Sequence, residues 1–387
     1  MTEEITLYAE IVADINDCGF DARINDLDES LEINYQKQWL RMTDTLEAVL
    51  KTELRERGYS SGRKPSLSAA RDVLTTLAHN RRYNPILAYF DEIRPRYTPL
   101  TNPHLIPTLA TYFENPDGWL GTWLLKWMIG TVAKLKAGER NPMLVMVGPQ
   151  QTGKSYFAKW LCPPALGDRF IKSSINPDNK DSIFRLCDTF IWEVEELGAT
   201  TRRADIESLK AFITKPFIFE RPPYGRHPIY KPVSASFIGT VNYDGAGFLN
   251  DPTGSTRFLS CEVGRIDFDY TVINVDTLWA EALWFYEHVP NSWQLAPAEK
   301  EAQALINAQF EVASALADVI EARFNLSGAA KDFLTTQQIK TQLEGYYRFG
   351  NEQAFYNELG RVLTKFGLAR GRSNGVRGWT GISVKSV

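Results

Sequence analysis

Cysteine is scarce in this chain and never paired in sequence: Cys18, Cys162, Cys187 and Cys261 stand singly, four in 387 residues. No CxxC pair and no histidine at ligand spacing accompanies them, which excludes a disulfide framework and the common zinc modules and leaves reduced thiols. Long apolar runs are lacking too. Nothing approaches the roughly 20 residues a membrane span needs, and the opening MTEEITLYAEIVADIND has neither the basic flank nor the apolar core of a secretory signal. A cytoplasmic protein with no membrane partner is the expectation. Internal repeats and low-complexity tracts are absent, so the chain reads as neither a solenoid nor a disordered polymer.

An excess of positive charge is also missing, with 43 Lys and Arg against 47 Asp and Glu and a net charge of −4. Distribution matters more than the sum for a polyanion binder. Through Glu32 ten acids face one base, whereas from Leu359 onward Arg361, Lys365, Arg370, Arg372, Arg377 and Lys385 meet no acid at all. A nucleic-acid surface, if present, includes the basic end.

What is there is ordinary globular composition, 44% hydrophobic and 12% aromatic, over a length that suggests two or three domains. Residues 1–64 form a small N-terminal region of uncertain fold, ending in the turn-rich GYSSGRKPS. Residues 65–117 carry helical periodicity broken at Asn84-Pro85 and then the proline-rich RPRYTPLTNPHLIP, which reads as a linker. From 118 to 290 apolar strands alternate with helices (MLVMVG, SYFAKWL, TFIWEV, ADIESLKAFIT, SASFIGTVN), the pattern of an α/β domain with a parallel sheet between helices. A polar helical connector spans 291–326. Residues 327–387 read helix, helix, then Gly- and Arg-rich turns, a winged helix-turn-helix pattern.

The chemistry starts at Gly148-Pro-Gln-Gln-Thr-Gly153-Lys154-Ser155, which fits G-x-x-x-x-G-K-[ST] and sits between the apolar strand 143–147 and a helix. That context turns backbone N–H groups and a helix N-terminus toward phosphates. Gly148, Gln151, Thr152, Gly153, Lys154 and Ser155 are the expected ATP-binding residues. Lys154 reaches the β and γ phosphates, and Ser155 ligates Mg²⁺. Such a loop needs an acid on a neighbouring strand for the metal and a carboxylate to polarise water. The run 189–196, TFIWEVEE, supplies Glu193 as the metal-side acid and Glu196 as the base, with Glu195 its competitor. The strand 237–242 ends in Asn242, where ATPases with an additional central strand keep a polar residue for the attacking water or γ phosphate; Asn is also common there simply to start a turn.

Arg257 follows the tight turn DPTGST, a position from which it could reach a neighbouring subunit's nucleotide, although a lone loop arginine is more often solvated or ion-paired. Between the acids and Asn242, FIFERPPYGRHPIYKP suggests a protruding hairpin whose Tyr224, Arg226, His227 and Lys231 combine cations with aromatics, as single-strand grips do. A proline-stiffened loop packing on its own chain is the competing reading. At the C-terminus Arg361 and Lys365 lie on the second helix and Arg370, Arg372 and Arg377 in the wing. They could meet duplex phosphates; protein docking is the alternative. Phe355, Leu359, Leu363 and Phe366 read as core.

Taken together, RYNPILAYFDEI, MVGPQQTGKS, the Asn179–Asp181 triplet, FIWEVEEL, ESLKAFIT, ERPPYGR, FIGTVN and DPTGSTRF, in that order over residues 65–265, resemble the virulence-associated E family of phage- and island-encoded P-loop proteins. These are relatives of the superfamily three helicases within the AAA+ class. The resemblance implies an oligomeric, hexameric ATPase that moves along or opens DNA for a mobile element, with Arg257 as a finger acting in trans and the hairpin in a central channel. Two departures stand out: Thr256 precedes Arg257 where the family commonly has a second arginine, and Pro232-Val233 replaces a common Pro-Arg. No primase-polymerase pattern is expected before residue 65. An ATP-controlled DNA-binding switch that does not unwind fits the same motifs. A small-molecule kinase would leave the Arg257 loop and the basic end without a role.

Overall fold

The computed structural model describes residues 2–60, 62, 67–100, 104–195, 197, 206–222, 227–242, 247–249, 256–311, 315–329, 332–348, 352–373 and 375–385. Two compact units divide the chain, residues 1–242 with 256–303 and residues 243–255 with 304–387.

The first unit begins with α1 (Thr2–Asp17), the antiparallel strands β1 (Asp21–Asn25), β2 (Leu31–Tyr35) and β3 (Gln38–Arg41), the helices α2 (Asp44–Ser60) and α3 (Leu67–His79), and β4 (Arg82–Tyr83), which runs parallel to β1 in a sheet ordered β3-β2-β1-β4. Gln36 and Lys37 both adopt positive φ, 52° and 64°, the conformation a two-residue hairpin loop demands. Alternation along β1 and β2 sends Ala22, Ile24 and Ile33 into a core shared with Ile15, Leu50, Leu54 and Leu74. The Asn84-Pro85 break is a helix start. The Asn84 side chain accepts from the Ile86 and Leu87 amides at 2.9 and 3.1 Å, and Pro85 opens α4 (Pro85–Ile93).

The proline-rich segment that reads as a linker is held down along its described part. Tyr97 is buried against Trp284, and α5 (Leu105–Ala110) takes its N-terminal cap from far along the chain, the buried Glu281 carboxylate accepting from the Leu105 and Ile106 amides. Pro95 and Pro107 lie within helical turns, and the described part of the segment is packed. Next, α6 (Leu120–Ala137) buries Trp123 and Trp127, whose indole N–H groups donate to the Ser260 and Phe237 carbonyls.

On that helix lies a five-stranded, wholly parallel sheet in the order β11-β5-β10-β7-β6. Its strands are β5 (Met143–Gly148), β6 (Phe170–Ser173), β7 (Ile191–Val194), β10 (Ser236–Asn242) and β11 (Phe258–Glu262), connected in part by α7 (Lys154–Leu161), α8 (Lys180–Asp188) and α9 (Ile206–Ile213). Every residue of β5 and β7 is buried, which explains why these strands read as continuous apolar runs. β8 (Phe217–Glu220) and β9 (Ile229–Pro232) form a separate antiparallel hairpin, and α10 (Val275–His288) packs on α6. α11 (Pro297–Gln309) divides between the two units.

In the second unit α12 (Ala315–Arg323), β12 (Phe324–Leu326), β13 (Phe333–Thr335), α13 (Thr336–Leu343), α14 (Glu352–Lys365), β14 (Ala369–Ser373), β15 (Val376–Thr380) and β16 (Ile382–Val384) follow one another. The sheet β13-β15-β14 is antiparallel, and β12 pairs β16. α12, which reads as connector from its polarity, buries Leu316 and Ile320 in the same core as Leu343, Phe355, Leu359, Leu363 and Trp379. A capping box starts α13, with the Thr335 hydroxyl and the Gln338 side chain bonding each other's backbone. No described helix is long and apolar enough to cross a membrane.

Candidate functional site

The loop after β5 is shaped by two close approaches. A Cβ on Gly148 would lie 1.9 Å from the Val263 carbonyl oxygen, and one on Gly153 would lie 2.7 Å from the Phe268 ring. Gly153 also adopts φ 100°, and Gln151 φ 64°, so the chain turns sharply before α7 begins at Lys154. Lys154 is almost fully buried; its ammonium donates to the Gly148 and Pro149 carbonyls at 3.0 and 2.5 Å and lies 3.3 Å from the Thr152 hydroxyl. Burial draws its pKa below the ordinary lysine value. The cation is thus wrapped by neutral oxygens of its own loop.

Parallel pairing brings the other groups to this end of the sheet. Asn242, at the exposed end of β10, is the ladder partner of Gly148, and β10 separates β5 from β7. Glu193 of β7 is fully buried. Desolvation pushes its carboxyl above the usual range, opposed by the Ser155 hydroxyl and by Lys172. Thr240 reaches its Oε1 only at 3.5 Å, and its Oε2 has no hydrogen-bond partner among the described residues. A buried carboxylate oxygen left without a donor is costly. With the Ser155 hydroxyl beside it, the pair is a hard oxygen set of the kind that suits Mg²⁺. Glu195 pairs with Lys172 at 3.4 Å, while Glu196 lies outside the described residues.

Arg257 is at the other end. Its carbonyl accepts from the Met143 amide, so the six residues of β5 separate it from the loop, roughly 16 Å at a strand's rise per residue. The sheet does not bring Arg257 to Lys154 within one chain. Its backbone is nonetheless fixed, because buried Gln303 donates to the Thr256 and Phe258 carbonyls on either side at 3.1 and 2.9 Å. No local spacing betrays Gln303, which is 47 residues from Thr256.

In the hairpin, pairing sets Ile218 opposite Lys231 and Phe219 opposite Tyr230. Ile218 and Lys231 are buried on one face; Phe217, Phe219 and Tyr230 are exposed on the other. The Lys231 ammonium donates to the Asp26 carbonyl at 2.7 Å and pairs with Glu29 at 3.1 Å. Burial works against the charge of Glu29, but Arg82 and Lys231 outweigh it and hold its carboxyl below the usual value. Lys231 is therefore a strut to the N-terminal sheet and does not project from the tip. His227 is exposed near the tip, and Tyr224 and Arg226 lie outside the described residues.

In the second unit Arg370, Arg372 and Arg377 are exposed on β14 and β15. Arg372 pairs directly across from Arg377, and Arg370 from Trp379, over whose ring its guanidinium sits at 5.4 Å. With Tyr356 and Gly360 of α14 they line a cavity of about 660 Å³. Like charges directly opposed on a hairpin are destabilising, and an anion removes that cost. Arg361 and Lys365 lie on α14, their side chains outside the described set.

The model of the virulence-associated protein E-like domain matches residues 101–312, more than half of the chain. Among solved structures, the chain is similar to the apo structure of the NrS-1 C-terminal region, residues 305–718 of that protein, at 12% identity and a TM-score of 0.48, covering 97% of this chain and 98% of that one. The A form apo structure of the same region gives 12% identity and a TM-score of 0.46 over 97% and 99%. No curated protein matches.

Proposed function

Because the chain belongs to the virulence-associated protein E-like domain family over residues 101–312, we propose that it is an AAA+-type P-loop ATPase. On this reading it binds DNA and works as a ring oligomer, a hexamer, in the replication of a phage or other mobile element. The observation that carries the reading is the strand order: β10 lies between β5 and β7, the additional-strand arrangement, so that Lys154, Ser155, Glu193 and Asn242 serve one end of one sheet.

The loop amides and Lys154 bind the β and γ phosphates of ATP. Exchanging its carbonyl partners for phosphate gives the buried ammonium a counter-charge and offsets its desolvation. Ser155 and Glu193 would hold Mg²⁺, which when bound neutralises phosphate charge. Asn242 orients the attacking water, Glu196 takes its proton as the oxygen attacks the γ phosphorus, and ADP leaves. Arg257 stabilises the transferring phosphoryl group of a neighbouring copy, a contribution of about 10³ to 10⁵ in rate. The order α12, β13, α13, α14, β14, β15 with sheet β13-β15-β14 supports a winged helix, whose Arg370, Arg372 and Arg377 contact DNA phosphates together with Arg361 and Lys365 of α14. His227, Tyr224 and Arg226 of the hairpin tip engage a single strand in the channel.

ATP hydrolysis measured with and without single-stranded DNA tests this. DNA should accelerate it, and Lys154→Ala should abolish it; hydrolysis indifferent to DNA would sink the helicase reading. A strand-displacement assay on forked DNA distinguishes an unwinding ring from an assembly switch, which binds and hydrolyses but displaces nothing.

A further inference from the structure

Two half-exposed aromatic rings flank the phosphate loop, and one of them, Phe268, also stacks on the buried Tyr270 at 6.2 Å. Tyr156, the residue after Ser155 on the first turn of α7, is 55% exposed, and Phe268 is 49% exposed. Their rings meet edge to face, centroids 5.6 Å apart at 66°. The Phe268 ring rests on Gly153, where a Cβ would come within 2.7 Å of it. Phe268 is firmly mounted. The segment before it pairs with residues 112–114 (Gly264 amide to Glu114 carbonyl, Glu114 amide to Arg265 carbonyl and Asp267 amide to Tyr112 carbonyl, each 2.8 Å). The Asp267 carboxylate caps the turn by accepting from the Asp269 amide. Beneath it Tyr270 is fully buried among Phe113, Phe157 and Trp160.

A rigid, half-exposed aromatic corner keeps apolar area in water on a stiff base, which favours a flat partner that covers it. The position selects the partner. With the terminal phosphates at Lys154 and Ser155, a polyphosphate would run past the first turn of α7 and bring the ring system at its other end beside Tyr156. Resting on the proposed nucleotide function, we infer that Tyr156 and Phe268 form the base subsite of this loop. It takes the purine of a nucleoside triphosphate and sets the preference for purine over pyrimidine nucleotides.

The test compares, on the full chain with magnesium present, affinities for ATP, CTP and inorganic tripolyphosphate, which carries the phosphates without a base. Phe268→Ala should weaken ATP about tenfold, the size of one lost base–aromatic stack, and leave tripolyphosphate within about twofold. It should also erase the preference for ATP over CTP. Phe268→Leu, which keeps apolar bulk against Gly153, should fall between, and Tyr156→Phe should match wild type. Unchanged ATP affinity in a Tyr156→Ala/Phe268→Ala variant overturns the inference, as does equal loss of ATP and tripolyphosphate. Wild type that binds tripolyphosphate as tightly as ATP overturns the base subsite while leaving the phosphate loop standing. Wild type that binds neither ligand overturns both.

Discussion

The two ends of the five-stranded sheet are furnished unequally. At the end where β5 and β10 finish, one chain supplies a buried cation, a buried carboxylate short of a donor, a hydroxyl and an amide, Lys154, Glu193, Ser155 and Asn242. At the opposite end Arg257 stands one strand length away, its backbone clamped by Gln303. A strand cannot shorten, so if Arg257 acts on a nucleotide it acts on another copy's. The length of β5 is thus consistent with the proposed ring and makes the role of Arg257 testable between copies.

The largest effect should come from breaking that division. Arg257→Ala should cut hydrolysis about 10³-fold or more with ATP affinity little changed. Mixing Arg257→Ala with Lys154→Ala copies should restore activity above either alone, because some interfaces then pair an intact loop with an intact arginine. Steady-state hydrolysis against mixing ratio measures this, and a flat curve at zero would show that the two ends do not cooperate between copies.

Glu193 sharpens the other side of the comparison. Glu193→Gln should lower hydrolysis about 10²- to 10³-fold, as removal of one preorganised electrostatic group does, yet stabilise the unliganded fold by about 1–3 kcal/mol. The sign follows from its raised carboxyl pKa. The native state holds the proton more firmly than the unfolded chain, so stability is lost as pH rises from the unfolded value through the native one. The advantage of the Gln variant should therefore be absent well below pH 4 and grow across that window, as measured by denaturant unfolding with chelator present. A destabilised variant at pH 8 would mean that Glu193 is satisfied after all.

What the sequence made legible here was local. An apolar strand, a glycine-bracketed loop and a helix start are contiguous, so the Gly148–Ser155 signature carries its own context, and the buried β5 and β7 announce a parallel sheet by their unbroken apolarity. Asn84-Pro85 looked like a break because proline ends helices more visibly than it starts them; the cap needs the Asn84 geometry to be seen. Lys231 read as a strand-gripping cation from its aromatic neighbours, but its fate depends on two non-local facts. Pairing with Ile218 turns it to the buried face, and its partners Asp26 and Glu29 lie some 200 residues earlier. Gln303 and the α5 cap from Glu281 were invisible for the same reason.

Smaller effects separate groups already satisfied within the chain from groups that await a partner. Lys231→Ala should cost about 1 kcal/mol, because it strips the Asp26 carbonyl of its donor while the exposed Glu29 keeps Arg82, and should leave single-strand affinity unchanged; loss of DNA binding with normal stability would return Lys231 to the hairpin's grip. Arg372 and Arg377 should behave in the opposite way. Their side chains oppose each other across β14 and β15, so Arg372→Ser should relieve repulsion and raise stability by a few tenths of a kcal/mol. It should also weaken duplex binding with little dependence on sequence and reduce the slope of log affinity against log salt by about one. If the slope is unaltered, the paired arginines serve something other than a phosphate backbone, and the second unit joins Lys231 among the internally committed parts of the molecule.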